Sequence, residues 1–269
     1  MGLEIVVCVK QVSDPECGRE ALAVSADGRR VEATGLSPVL SPFDENALEA
    51  ALRIKDRGAS GEVKVTALSM GKKVARVVVE TALAVGADAF IKIEDERFAP
   101  DALDSFATAS ILAGALRKLG RFDLVVAGRQ AADGNAGQVG VGIAHLLGIP
   151  VITLACKVEV DGTRAVVERL TVDGTEKVRA PLPTLVVVSN EAGALRYPGL
   201  AQRKAARTKP LVTWSREDLG LESLPPPRLR LVRLTPPVTR QSHCVFIEAD
   251  TAADAGRELA HRLHRDGVL

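Results

Sequence analysis

The chain has 269 residues, of which 46% are hydrophobic and 3% aromatic, with a formal net charge of +1. That length allows one large domain with an appendage, and a core of Val, Leu, Ile and Ala suits a parallel α/β sheet. The balanced charge, with the single Tyr197 and single Trp214, excludes a base-stacking nucleic-acid platform and any broad attraction to anionic membranes. Residues 4–12 (EIVVCVKQV) read as a buried strand, which Ser13-Asp14-Pro15 bends away. Residues 23–35 read as a hairpin turning at Asp27-Gly28. Ser41 then starts a helix as N-cap, with Pro42 at its first position, Asp44 and Glu45 in its first turn, and Ala47, Leu48, Ala51, Leu52 and Ile54 on one face. A well-made cap is enough to account for Ser41 to Asp44 on these grounds alone.

Strands at 62–70, 88–93 and 124–127 alternate with helices at 73–86 and 101–120. Residues 128–140 form a loop holding Gly128, Gly134, Gly137 and Gly140, followed by an apolar helix that Gly148-Ile149-Pro150 stops. A strand, a glycine-rich loop and a helix in that order can cradle a phosphate, because backbone N–H groups approach the anion and the helix adds its positive end. The loop matches neither G-x-x-x-x-G-K-[ST] nor G-x-G-x-x-G, so an ordinary βα connection explains it equally well. This alternation implies an α/β fold with a mostly parallel, doubly wound, Rossmann-like sheet and right-handed crossovers. Ligands of such sheets lie beyond the carboxyl ends of the strands, where the loops after Cys8, after Met70 and at 128–140 converge.

After Pro150, residues 151–160, 165–172 and 176–179 read as an antiparallel ribbon turned at two Asp-Gly pairs, and 184–189 as a further buried strand. Residues 190–210 read as a polar, basic connection with an apolar centre at 195–200. Its tip either packs on the body or docks a partner. From 223 a proline-bounded arm leads to a terminal helix at 251–263, a division into residues 1–224 and an arm of 225–269.

No run is apolar and long enough for a membrane span, and no signal-peptide core is visible. The cysteines, Cys8, Cys17, Cys156 and Cys244, are scattered without a CxxC, which points to reduced thiols in the cytoplasm and to no zinc site. The histidines stand alone, and Glu94, Asp95 and Glu96 read as a solvated turn. No protein catalyst is evident, which favours a binding or redox-carrier protein whose chemistry belongs to a cofactor. The competing class is a stand-alone ATP-binding hydrolase or nucleotide sensor. Against it, no Walker-type Lys or acidic metal pair lies beside the glycine loop.

The segments IVVCVKQVSD, SPFDE, VETALAVGAD, AGRQAADGNAGQVG and LRYPGLAQRKAARTKP occur in this order over most of residues 1–220. Together they resemble the β subunit of electron transfer flavoproteins. The resemblance implies a fold related to adenine-nucleotide hydrolases, a larger α subunit carrying the electron-transferring FAD, and AMP or a second FAD in β. Carried over by position, nucleotide contacts fall at Cys8, at Ser41, Pro42, Phe43 and Asp44, at Met70, and along Gly128, Arg129, Gln130, Ala131, Ala132, Asp133, Gly134, Asn135, Ala136, Gly137, Gln138 and Val139. The usual Asn at the cap is Ser41 here. Tyr197, Pro198 and Leu200 match the loop that holds a flavin dehydrogenase or a membrane quinone oxidoreductase, with Leu200 as anchor. The stretches Lys10-Gln11-Val12-x-Asp14 and Gly128-Arg129-Gln130-Ala131-x-Asp133-Gly134 resemble the electron-bifurcating and nitrogen-fixation-associated branch. AMP-binding members carry acids where Gly134 and Asn135 stand, so a longer pyrophosphate is repelled less and FAD is favoured. The Thr hydroxyl typical of the bifurcating pattern is missing at Ala136, which weighs the other way.

Overall fold

The structure is a computed structural model and describes residues 2–58, 61–99, 102–223, 226–238 and 244–269. It separates into two compact units, Met1–Leu234 and Thr235–Leu269. In the first unit, β1 (Leu3–Cys8) leads through β2 (Gln11–Val12), the hairpin β3 (Leu22–Val24) and β4 (Val31–Ala33), and β5 (Val39–Leu40) to α1 (Pro42–Arg57). Alternation follows in β6 (Val63–Gly71), α2 (Arg76–Val85), β7 (Ala89–Glu94), α3 (Ser105–Leu119), β8 (Leu124–Gly128) and α4 (Val139–Leu147). The ribbon β9 (Val151–Asp161), β10 (Arg164–Thr171) and β11 (Gly174–Pro181) precedes β12 (Thr184–Val188), α5 (Leu200–Ala206) and β13 (Leu211–Trp214).

One nine-stranded sheet carries the order β11-β10-β9-β12-β8-β1-β6-β7-β13. It is parallel from β9 to β13 and antiparallel within the ribbon. The α/β class and the doubly wound sheet expected from the sequence are present. Each central strand buries both faces by simple alternation. Ile5, Val7, Val65, Leu124, Val126 and Val186 face α1 and α2 in one apolar cluster. Val6, Cys8, Leu68, Val125, Ala127 and Val187 face α3 and α4 in the other. From β1 the chain builds outward through β6 and β7, then returns to lay β8 on the other side of β1. The strand order therefore reverses between β1 and β8, which is where such sheets open a crevice for a ligand.

Several local expectations are corrected. The strand expected at 4–12 ends at Cys8, and Gln11–Val12 turns off to pair antiparallel with β5. The helix expected from 73 begins at Arg76, because the N–H of Val74 donates to Glu94 Oε1 and that of Ala75 to Gln11 Oε1. The helix expected from 101 begins at Ser105, where the Asp104 carboxylate accepts the Ala107 N–H at 2.8 Å; Asp101 lies outside the described residues. Residues 190–210 are not simply a connection, since they include α5, and β13 then adds a parallel edge strand beside β7. The Glu94–Glu96 turn is only partly solvated. Glu94 holds Val74 and Lys92, and Asp95 lies 3.4 Å from the buried Arg216 guanidinium.

The arm begins inside the first unit. The N–H groups of Arg228 and Leu229 donate to Asp104 Oδ2 at 2.6 and 2.9 Å, and the Leu234 N–H to the Gly28 carbonyl at 2.7 Å. The second unit contains α6 (Ala252–Arg265), capped by the Thr251 hydroxyl, and no residue of that helix is buried. Among the described residues, no helix is long and apolar enough to cross a membrane, and no cluster of His, Cys, Asp and Glu could hold a metal ion.

Candidate functional site

Three segments meet at the reversal point: the turn after β1, the start of α1 and the loop after β8. Ser41 caps α1 by position, but its hydroxyl makes no bond to the helix. It accepts the Ala132 N–H at 3.3 Å instead, while the Ser41 N–H donates to the Lys10 carbonyl at 2.9 Å. The capping role expected for this side chain is thus replaced by a tie between α1 and the glycine loop. Asp44, one turn further on, is only 7% exposed. Its Oδ2 accepts the Lys10 N–H at 2.8 Å and its Oδ1 the Gly128 N–H at 3.2 Å. Over this carboxylate, the Lys10 ammonium reaches Asp133 at 2.8 Å.

Electrostatics follow from that burial. Loss of water pushes the Asp44 carboxyl up to about 7, against the opposing pull of the two backbone N–H donors and Lys10. Burial, with Asp44 nearby, pushes the Cys8 thiol up to about 12, so Cys8 is an inert, neutral wall of the crevice. Gly128 is required by close approach: a Cβ there would lie 2.4 Å from Asp44 Oδ1 and 2.6 Å from the Phe43 carbonyl.

Beyond Ala132 the loop is exposed from Asp133 to Gln138. Gln130 donates its amide to Asn135 Oδ1 at 2.9 Å, and Asn135 and Gly137 take positive φ of 49° and 65°. The Arg129 N–H is spent on the Val188 carbonyl. Gln138 precedes α4 without a side-chain cap, so the first N–H groups of that helix have no intrahelical acceptor. The sequence-derived positions thus gather at one crevice: Cys8, Ser41–Asp44 and 128–139 directly, with Met70 half-buried at the end of β6. The sequence marked Lys10 as part of a branch-like stretch but not as a site residue, because its partner Asp133 lies 123 positions away and leaves no local signal. A cavity of about 340 Å³ lined by Arg57, Glu159, Lys177 and Arg179 lies where α1 ends and β6 begins, and shares no residue with this crevice.

The 195–200 segment is separate from the crevice. Arg196 is fastened to α1 through Glu49 at 2.9 Å and Asp56 at 2.7 Å. Burial acts to raise the Glu49 carboxyl, but the bonds from Arg196 and Arg53 outweigh it and hold it below its usual range. Beyond that root Tyr197 is 88% and Leu200 73% exposed, whereas Pro198 is buried. The Arg203 guanidinium lies 5.1 Å from the Tyr197 ring centre.

Compared with known proteins, residues 30–219 match the family described as "Electron transfer flavoprotein domain". The chain belongs to the electron transfer flavoprotein family. It is 36% identical over 219 residues to the caffeyl-CoA reductase–Etf complex subunit CarD of Acetobacterium woodii, covering 81% of this chain and 80% of that protein. It is 32% identical over 275 residues to the electron transfer flavoprotein subunit beta of Thermoanaerobacterium thermosaccharolyticum, covering 99% and 100%. With protein FixA of Azorhizobium caulinodans it shares 31% identity over 279 residues, covering 99% and 96%. The electron transfer flavoprotein likeness to beta subunits therefore extends through both units, and the chain acts in electron transfer as a subunit of a flavoprotein.

Proposed function

We propose that this electron transfer flavoprotein subunit holds an adenine nucleotide in the crevice between β1 and β8, and that the nucleotide is FAD rather than AMP. The observation that carries this is the uncapped start of α4 at the strand-order reversal, behind a loop whose residues 133–138 are exposed. Helix-start N–H groups and the helix dipole favour phosphate oxygens. The residues suit such a group. Gly134 faces open space, and Asn135 puts an amide, not a carboxylate, beside the loop. Gly134 to Gly140 would hold the phosphates, and a flavin bound there would accept and release electrons. In this reading the chain pairs with an α subunit that carries a further FAD, and residues 225–269 pack on it. In the cytoplasm, electrons pass between NADH or a flavin dehydrogenase and a quinone-linked or ferredoxin acceptor, by flavin-based bifurcation if the β nucleotide is FAD. Tyr197 and Leu200 dock the dehydrogenase, while Pro198, expected to join them, is buried and shapes the turn that presents them.

The test is release and identification of nucleotide from the purified complex, with Gly137→Leu as the paired variant. Gly137 has φ 65°, so a branched side chain there is strained and also fills the loop. FAD from the wild type and an emptied variant of unchanged circular dichroism are expected. Equal nucleotide content in both would remove the loop from the site.

A further inference from the structure

The Asp44 carboxylate is surrounded by protein donors, not left open to a ligand. Each of its oxygens already accepts a backbone N–H, from Lys10 at 2.8 Å and from Gly128 at 3.2 Å. Those two amides begin the loops on either side of the strand-order reversal. The neighbouring ties run between the same three segments: Ser41 N–H to the Lys10 carbonyl, Ala132 N–H to the Ser41 hydroxyl, and the Lys10 ammonium to Asp133. We propose that Asp44 is a positioning residue that sets the separation of the two loops walling the nucleotide crevice, and does not itself touch the nucleotide. The proposal rests on the nucleotide reading above.

The geometry requires the ionised form. A carboxylate accepts two N–H donors, whereas a protonated carboxyl or an amide turns one donor group against one of them. Replacing Asp44 by Asn therefore leaves either Lys10 or Gly128 facing an N–H, and a buried amide without an acceptor is costly. The titratable and charged groups around Asp44 are the Cys8 thiol, Lys10 and Asp133. With burial raising its carboxyl to about 7, lowering the pH from 8 to 5 protonates Asp44 in the folded protein and loosens the same two amides.

Two measurements on the full chain test this. The first is amide hydrogen exchange at Lys10 and Gly128 at pH 8. Asp44→Asn is expected to speed exchange at one or both by tenfold or more, with strands β6 and β7 unchanged. The second is calorimetric titration with FAD and, separately, with AMP from pH 8 to 5. The wild type is expected to bind at least tenfold more weakly at pH 5 than at pH 8, and Asp44→Asn to bind weakly with a flat profile. Unchanged amide exchange in Asp44→Asn, or equal affinity in the two proteins at pH 8, overturns the proposal. If Asp44→Asn does not fold, the wild-type profile decides, and a flat one overturns the proposal. A wild type that binds neither FAD nor AMP overturns the nucleotide reading instead, and amide exchange then decides the role of Asp44 alone.

Discussion

At Asp44 the demands of folding and of the crevice oppose each other. A carboxyl raised from its usual 3.8 to about 7 keeps its proton in the native state after the unfolded chain has lost it. Its favourable effect on stability is therefore complete below pH ~4 and is lost as the pH rises to ~7. We predict that the urea midpoint of the wild type falls relative to that of Asp44→Asn between pH 4 and pH 7. A shift of three units sets an upper limit of about 4 kcal/mol. The check is denaturation of both proteins at several pH values, and parallel curves would count against the burial argument. The proximity of Asp44 and Gly128 is not legible in the sequence, where they are 84 positions apart. What the residues do disclose is composition: an acid in the first turn of a helix, and a glycine ending an apolar strand. The same limit hid the use of Ser41, whose residue type fits a helix cap while its hydroxyl serves Ala132.

At the level of elements, legibility followed the hydrophobic pattern. β1, β6, β7 and β8 are short apolar runs buried on both faces, and α1 has a continuous apolar stripe, so each stood out. α5 reads Leu-Ala-Gln-Arg-Lys-Ala-Ala with only Ala206 buried, and it offers no such stripe. β13 is a largely exposed edge strand that, among the described residues, pairs with β7 alone. Both elements depend on neighbours distant in sequence, α5 on α2 and β13 on β7. The turn before α5 is nevertheless firmly rooted, because Arg196 grips Glu49 and Asp56 of α1. Beyond that root Leu200 is 73% exposed and gives the fold little packing. We predict that Leu200→Ala leaves the melting temperature within a degree and weakens the complex with the physiological dehydrogenase by about 2 kcal/mol, the usual cost of removing an apolar anchor. Arg203→Ala should instead reduce the salt dependence of association. Stopped-flow kinetics at several ionic strengths would separate the two. A Leu200→Ala protein with wild-type partner kinetics would end the docking role.

For the molecule as a whole, the first compact unit takes in the beginning of the arm and ends at Leu234. Residues 228–234 are held to Asp104 and Gly28, so the compact unit runs to Leu234, ten residues past the break that proline content suggested. We predict that truncation after Leu234 leaves the melting temperature of the remaining chain nearly unchanged and weakens pairing with an α subunit at least tenfold. Co-purification and calorimetry would check this, and full-affinity pairing by the truncated chain would refute it. In the same body, a Cβ at Gly140 would come within 2.8 Å of Val187 Cγ2, so α4 sits against β12 at a spacing that larger residues forbid. That contact shapes how such a protein can diverge. Substitution at Gly140 lifts the helix start away from the strand, so the N-terminal end of α4 is closed to gradual drift. If the proposed crevice holds the nucleotide, the exposed residues 133–138 are where this loop can vary freely from one lineage to another.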